Sequence, residues 1–225
     1  ENAVAAQAAG FFDSLITPLG DVVTDGLPRA DTNRERLAAL KPVFDQTSGG
    51  GTLTAGNSSP LTDGAAGVWV ATDNGLSRLS DELPRVRLLD WEIAGIDLRE
   101  EGLLMAPAYA IPRLLARHGL AYDDIDLWEI HEAFAAQVLC NVAALETSEF
   151  LKEKARVQAE FGTFSWDRLN PNGGSISIGH PFGATGARIL SQATKELAAM
   201  PPASRAVVSI CADGGLGTVA LLEAP

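Results

Sequence analysis

Residues 125–146 read IDLWEIHEAFAAQVLCNVAALE, an apolar run of strand length followed directly by a longer apolar run of helical length. IDLWEI is typical of a short strand, and HEAFAAQVLCNVAALE, which begins at His131, is typical of a helix. The same alternation continues on both sides of this stretch. RVRLLDWEIAG predicts a strand, PAYAIPRLLARHG a helix that ends at Gly119, residues 184–199 a helix, and RAVVSICADGGLGTVALLE two strands around a glycine-rich turn. Strands that alternate with helices predict a layered α/β fold with ligands at the strand ends.

The N-terminal part of the chain is less regular. Thr32 or Asn33 is expected to cap a helix that ends before Pro42. A short helix from about Asp63 and a buried strand at residues 68–71 are predicted next. The first residues lack an initial methionine and have the pattern of the middle of an amphipathic helix, so we expect the chain to begin inside a larger protein.

The composition excludes several classes of function. Of the 225 residues, 46% are hydrophobic and 20% are charged, which is typical of a globular protein. The net charge of −12 argues against a nucleic acid or an anionic membrane surface as partner. No apolar run reaches the roughly 18 residues that span a membrane. The two cysteines do not form a disulfide framework, which favours a reducing, cytoplasmic location.

His180 lies in a glycine-rich stretch, NPNGGSISIGHPFGATGARIL, at residues 170–190. Gly179 and Gly183 allow close approach of the backbone, and the helix that follows directs its N-terminus back toward the loop. The partial positive charge of that N-terminus favours a neutral imidazole that can accept a proton. The alternative is a solvated loop histidine.

Three further side chains are candidates for chemistry or for packing. Cys211 ends an apolar strand before the turn ADGGLG, where active sites gather in α/β folds; the alternative is a small buried residue. His131 follows the strand IDLWEI, with Glu132 expected in the first helical turn, and could stabilise an oxyanion or cap the helix. Cys140 lies within an apolar helix and is expected to pack in the core.

The spacing of the three histidines does not match a zinc site, so no metal is expected. The glycines match neither the dinucleotide-binding nor the P-loop pattern.

Four blocks of the sequence together resemble the signature blocks of thiolases, in the order that the family has them. The blocks are TAGNSSPLTDGAA at 54–66, HEAF at 131–134, GGSISIGHPFGATG at 173–186 and CADGGLG at 211–217. The resemblance covers essentially the whole chain, but only the C-terminal part of a thiolase. The histidine of HEAF makes the chain similar to the β subunits of fatty-acid-oxidation trifunctional complexes.

The resemblance implies the thiolase fold, an α/β fold of five αβαβα layers with two similar halves and a loop domain inserted in the first. It assigns residues 1–50 to the loop domain, 51–84 to the end of the N-terminal domain and 85–225 to a complete C-terminal domain. The typical family member is a homodimer or homotetramer, and the trifunctional type adds an α subunit.

The resemblance also implies a role for each candidate residue. His180 matches the base that activates the nucleophilic cysteine, and His131 matches a position that lines an oxyanion site. Cys211 matches a cysteine that acts as acid and base. Ser59 matches a contact to the pantetheine arm of coenzyme A, and Arg29 a contact to its nucleotide end.

Two positions depart from the family pattern. Asp213 stands where many relatives have Gly or Ala; its backbone N–H would serve a second oxyanion hole, which the carboxylate could weaken. The nucleophilic cysteine belongs to the N-terminal half of a thiolase, and neither Cys140 nor Cys211 replaces it. The chain alone is therefore expected to be inactive and to need that missing half.

The implied function is acyl transfer: thiolytic cleavage of a 3-ketoacyl-CoA to acetyl-CoA and a shortened acyl-CoA, or the reverse condensation. Coenzyme A and acyl-CoA are substrates, and no cofactor is implied. Two alternatives remain. One is a non-catalytic thiolase-like subunit for acyl-CoA binding or assembly, which the retention of His180 and Cys211 disfavours. The other is a condensing enzyme of the ketoacyl-synthase type, which the presence of Cys211 disfavours.

Overall fold

The computed structural model describes residues 1–80 and 82–225. Its centre is a four-stranded sheet with the strand order β1-β4-β3-β2. The strands are β1 (Arg87–Gly95), β2 (Leu127–Ile130), β3 (Arg205–Ala212) and β4 (Leu216–Glu223). β4 pairs antiparallel with both β1 and β3, whereas β2 pairs parallel with β3. The parallel pair brings the carboxyl ends of β2 and β3 to the same edge, where side chains can converge.

The helices of the described ranges differ greatly in length. They are α1 (Asn2–Ala8), α2 (Arg34–Ala38), α3 (Asp73–Leu76), α4 (Leu98–Glu101), α5 (Ala106–His118), α6 (Ala135–Leu145), α7 (Ser175–Ile178) and α8 (Thr185–Ala198). A π-helical turn forms at Phe150–Lys154. None of the helices in the described ranges is long and apolar enough to cross a membrane.

Successive residues of a strand point to opposite faces of the sheet, and β3 contributes to a hydrophobic core on each face. On one face, Val207 of β3 packs in a core that also contains Ile111 of α5 and Val142 of α6. On the other face, Val208 packs with Ile189 of α8. The C-terminal part of the chain therefore has the helix–sheet–helix layering that the sequence predicts.

The strands and the longer helices of this part are confirmed. α5 ends at Gly119, which adopts φ 64° in the left-handed region. α8 spans nearly the whole predicted segment. In the N-terminal part, the side chain of Asn33 accepts a hydrogen bond from the N–H of Arg36 at 2.8 Å and caps α2, as expected.

Two predictions in the N-terminal part are wrong. Residues 63–72 form neither the helix expected from Asp63 nor the buried strand expected at residues 68–71. Trp69 is 87% exposed and Val70 is 81% exposed. An apolar run forms a strand only beside a partner, and no strand in the described ranges runs alongside this segment.

Two predictions about residues 131–146 are also wrong. The helix α6 begins at Ala135, so Glu132 precedes the helix and does not belong to its first turn. Cys140 is exposed and does not pack in the core. The buried face of α6 contains Val138, Val142 and Leu145, and Cys140 lies on the other side. The polar Asn141 of this helix is 3% exposed and the apolar Leu139 is 57% exposed, so polarity in the sequence does not indicate which side is buried.

Candidate active site

His131 lies directly beyond the end of β2. Its N–H donates to the carbonyl of Ser209 at 2.8 Å, which continues the ladder between β2 and β3. Leu127, at the start of β2, packs toward α8, and the two-residue period of a strand places His131 on the same face. The side chain is 3% exposed, and its Nδ1 lies 2.8 Å from Oγ of Ser175. The interpretation as a helix cap is wrong, because Phe134 is the N-cap of α6.

His180 lies in the loop between α7 and α8. Its N–H donates to the carbonyl of Pro60 at 3.1 Å, and its Nδ1 lies 2.6 Å from Oγ1 of Thr185. The preceding Gly179 has φ 88°, and a Cβ there would lie 2.8 Å from the Thr62 side chain. The loop therefore needs glycine at this position for both its conformation and its close contact. The half-buried ring with its fixed partners excludes a freely solvated histidine.

The two imidazole rings are adjacent. Their centroids lie 4.1 Å apart with an interplanar angle of 44°. The ring of Phe182 lies 4.8 Å from that of His180 on the exposed side. Two loops that are distant in sequence thus place two titratable rings at one edge of the sheet.

Both histidines are held neutral at physiological pH. Burial lowers the pKa of His131 to about 3, and the neighbouring His180 ring and the charge of Arg188 lower it further. Burial, followed by the charge of Arg188, also lowers the pKa of His180. The lowered pKa of His180 agrees with the expectation of a neutral imidazole, and burial and Arg188 are its identified causes.

Arg188, in the first turns of α8, belongs to a buried polar network that sequence reasoning missed. Its Nη2 donates to Oγ of Ser175 at 3.0 Å, and its Nη1 donates to Oε1 of Gln192 at 3.2 Å. Gln192 in turn donates to the carboxyl groups of Glu129 and Glu196. Glu129, a charged residue within the apolar strand IDLWEI, was the one available signal of this network.

Cys211 lies near the carboxyl end of β3, beyond Ser209, whose carbonyl binds the N–H of His131. It pairs with Gly217 of β4 and is 8% exposed. Burial raises the pKa of its thiol to about 11, so the thiol is protonated at neutral pH. Across the described ranges, no hydrogen bond joins Cys211 to either histidine of the site.

The remaining predicted site residues are Ser59, Asp213 and Arg29. Ser59 donates its N–H to the carbonyl of Ala133 at 3.0 Å, which places it against the HEAF segment. Asp213 is exposed, and its carboxylate accepts the N–H of Gly214 at 2.8 Å. Arg29 is exposed, and no hydrogen bond within the described ranges links it to either histidine.

The short segment around Ser59 connects the two histidine loops. The N–H of Ala135 donates to the carbonyl of Asn57 at 2.9 Å, and Leu61 forms a β-bridge with His180. In the part of the chain that the structure describes, this site included, no group of three or more His, Cys, Asp or Glu side chains is arranged to hold a metal ion.

Comparison with protein families gives two matches that together cover most of the chain. The model described as "Thiolase, C-terminal domain" matches residues 83–224, and the one described as "Thiolase, N-terminal domain" matches residues 1–74. The chain belongs to the thiolase family. The resemblance inferred from the four blocks is thereby confirmed.

Curated relatives of this thiolase-family chain include a probable 3-ketoacyl-CoA thiolase of Caenorhabditis elegans. It is 42% identical over 190 residues, which are 84% of this chain and 41% of that relative. A 3-ketoacyl-CoA thiolase of Alteromonas mediterranea is 40% identical over 199 residues, 88% of this chain and 44% of that relative. The chain thus spans less than half the length of these relatives.

Solved structures similar to this thiolase-family chain confirm the predicted thiolase fold. The dimeric peroxisomal thiolase of Saccharomyces cerevisiae matches with a TM-score of 0.81 at 33% identity, over 100% of this chain and 52% of that one. Human mitochondrial 3-ketoacyl-CoA thiolase in complex with CoA matches with a TM-score of 0.75 at 27% identity, over 100% of this chain and 52% of that chain.

Proposed function

We propose that this chain supplies the acid–base groups of a 3-ketoacyl-CoA thiolase. The enzyme would cleave a 3-ketoacyl-CoA with coenzyme A into acetyl-CoA and a shortened acyl-CoA, or catalyse the reverse condensation. The observation that carries the proposal is the pair of neutral imidazoles of His131 and His180, with centroids 4.1 Å apart. The names of the curated relatives support the same chemistry.

In this proposal His180 is the base. It accepts the proton of the nucleophilic thiol, whose thiolate then attacks the ketone carbon of the substrate. The nucleophile is a cysteine outside residues 1–225. This is supported by the position of Cys140 on the exposed side of α6 and by the raised pKa of Cys211, which disfavours a resting thiolate.

His131 and Cys211 take the other two roles. His131 donates a hydrogen bond to the carbonyl oxygen on which negative charge develops. When the carbon–carbon bond breaks, the electron pair stays on the acetyl-CoA carbon, and the thiol of Cys211 donates a proton to it. The incoming coenzyme A thiol returns a proton to Cys211 and takes the acyl group, and the released cysteine thiolate regains its proton from His180.

Coenzyme A and acyl-CoA are the partners of this site, as substrates rather than cofactors. Ser59, close to the HEAF segment, would contact the pantetheine arm, and Arg29 the nucleotide end. In a chain with a net charge of −12, a local cation such as Arg29 is needed to attract coenzyme A phosphates. The backbone N–H of Asp213 would serve a second oxyanion hole.

We extend the proposal to the wider protein. Residues 1–50 are a loop-domain segment, 51–84 the end of the N-terminal domain and 85–225 the C-terminal domain. The protein would assemble as a homodimer or homotetramer in the cytoplasm, with a trifunctional α subunit as a further partner. The dimeric state of the yeast relative supports an oligomer.

The test is thiolysis of a 3-ketoacyl-CoA by the protein that carries this chain. His180→Ala and Cys211→Ala should each lower kcat by roughly 10²–10⁴-fold, the range for loss of a general acid or base. Cys140→Ala is the matched control and should leave kcat unchanged. Full turnover in both the His180 and the Cys211 variant would contradict the assignment. Acyl-CoA binding without turnover by the unaltered protein would favour the non-catalytic subunit instead.

A further inference from the structure

Each of the two active-site histidines has its Nδ1 against a hydroxyl group. Ser175 Oγ lies 2.8 Å from Nδ1 of His131, and Thr185 Oγ1 lies 2.6 Å from Nδ1 of His180. Each hydroxyl also has a second partner, and the two second partners have opposite character. One can only accept a hydrogen bond and the other can only donate one. That difference determines where the proton lies on each ring.

The hydroxyl of Thr185 has a carbonyl as its second partner. Its O–H donates to the oxygen of Pro181 at 3.2 Å, because a carbonyl oxygen can only accept. The oxygen Oγ1 is therefore the acceptor toward His180, and Nδ1–H of His180 is the donor. The neutral ring carries one proton, so Nε2 of His180 holds a free lone pair.

The hydroxyl of Ser175 has a guanidinium as its second partner. Nη2 of Arg188 donates to Oγ at 3.0 Å, and an arginine side chain has no acceptor. Ser175 is 0% exposed, so bulk solvent does not reach its hydroxyl group. The remaining partner is Nδ1 of His131. If Nδ1 carried the ring proton, the hydroxyl proton would be buried without an acceptor, which is unfavourable.

We propose that Ser175, held by Arg188, is a positioning residue that fixes His131 in the Nε2–H tautomer, while Thr185 fixes the adjacent His180 in the Nδ1–H tautomer. The two neighbouring rings then differ in function although both are neutral. Nε2 of His131 is a hydrogen-bond donor, and Nε2 of His180 is an acceptor.

This inference rests on the proposed function for its chemical meaning. A donor at His131 suits a developing oxyanion, and an acceptor at His180 suits removal of a thiol proton. Burial lowers the pKa of His131 to about 3 and also lowers that of His180, which keeps both rings neutral near pH 7. The tautomer rather than the charge therefore distinguishes the two rings.

The test is ¹⁵N nuclear magnetic resonance of the 225-residue chain labelled at its three histidines, at pH 7. Long-range ¹H–¹⁵N correlations distinguish the Nε2–H and Nδ1–H tautomers directly. We expect the pure Nε2–H pattern at His131 and the pure Nδ1–H pattern at His180. His118 of α5, whose Nε2 lies 2.9 Å from Oδ2 of Asp90 in β1, is the internal reference for the folded state.

Matched variants then separate the two hydroxyl groups. Ser175→Ala should replace the single pattern of His131 by a mixture and leave His180 unchanged. Thr185→Val should replace the single pattern of His180 by a mixture and leave His131 unchanged. Ser175→Thr keeps a hydroxyl group and should preserve the His131 pattern.

An Nδ1–H pattern for His131 in the unaltered chain would overturn the proposal without any variant. It would also be overturned if His131 kept its pattern in Ser175→Ala while His118 showed an unchanged fold. These readouts do not involve turnover, so they are independent of whether the protein catalyses thiolysis.

Discussion

The carboxyl groups of Glu129 and Glu196 share one donor, the side-chain amide of Gln192, at 3.3 and 3.4 Å. Glu129 is 2% exposed and Glu196 is 7% exposed. Burial raises the pKa of both carboxyl groups, and the charge of Glu196 raises that of Glu129 further. The fold therefore favours the protonated form of this pair, although Arg188 nearby favours the charged form.

A raised pKa in the folded state gives this pair a defined effect on stability. The raised pKa stabilises the folded state fully below the ordinary carboxyl pKa of 4.5. This contribution to stability is lost as the pH rises through the higher pKa of the folded state. Glu129→Gln mimics the protonated carboxyl group at every pH. The stability of the variant relative to the unaltered chain should therefore increase from pH 4 to pH 8. The measurement is Tm against pH, where a gain of 1 kcal/mol corresponds to about 2–4 °C.

The exposed Glu160 provides the control for that experiment. Glu160→Gln should change Tm little at any pH. A difference between Glu129→Gln and the unaltered chain that stays constant with pH would show that Glu129 is charged in the fold.

The two cysteines should differ in reactivity. Cys140 is exposed, whereas Cys211 is buried with a thiol pKa of about 11 against the ordinary 9.0. That shift alone lowers the thiolate fraction of Cys211 by roughly a hundredfold at neutral pH. Iodoacetamide at pH 7.5 should therefore modify Cys140 first, and Cys211 only after unfolding. Peptide mass spectrometry reads both sites, and rapid labelling of Cys211 in the folded chain would contradict its burial.

Gly173 should tolerate a side chain less well than Gly162. Both have positive φ, 90° and 81°, so alanine is strained at either position by about 1–3 kcal/mol. A Cβ at Gly173 would also lie 2.6 Å from the Cβ of Ala3 in α1, whereas nothing lies within 4 Å of one at Gly162. Urea unfolding should show a larger loss of stability for Gly173→Ala. Equal losses would mean that α1 does not pack against this loop.

Asn170 should be intolerant of aspartate. Its Nδ2 donates to the carbonyl of Ile130 at 2.9 Å and to Oε1 of Glu132 at 2.7 Å, and its Oδ1 accepts the N–H of Ile130 at 2.8 Å. Asn170→Asp keeps the acceptor but loses the donor and adds a like charge beside Glu132. Each unsatisfied group costs about 1–3 kcal/mol, so the free energy of unfolding should fall by at least that amount.

The exposed Asn74 gives the matched variant for this change. Asn74→Asp should lie within about 0.5 kcal/mol of the unaltered chain. If the two variants had equal stability, the bonds of Asn170 would contribute nothing to holding its loop on β2.

The sequence predicted the elements whose signals are local. α5 and α8 follow from their apolar periodicity, and the end of α5 follows from Gly119. β3 and β4 follow from two apolar runs around glycines. In each of these cases the residues that determine the structure lie within one continuous segment.

The failures come from information that lies elsewhere in the chain. Residues 68–71 have strand propensity, but a strand also needs a neighbour, which local sequence does not reveal. Cys140 lies on a helix whose exposed side is also apolar, so only packing decides which side is buried.

The site shows the same limit. His131, His180 and Cys211 stand out because each is a reactive residue at a strand end or a glycine loop. Arg188 and Ser175 do not stand out, because their role depends on one contact between α8 and α7. Only in the folded chain does Ser175, which accepts a hydrogen bond from Arg188, lie beside the Nδ1 atom of His131.

β4 is the last of the four strands in sequence, yet it lies between β1 and β3 in the sheet. β1 has no other partner strand in the described ranges, so it stays unpaired until β4 has been synthesised and inserted. Such non-local pairing slows folding, because the closure of a long loop precedes the contacts that stabilise it. A nascent chain that stops short of Leu216 would expose unpaired edges on two strands at once, and each edge is a template for association with other chains.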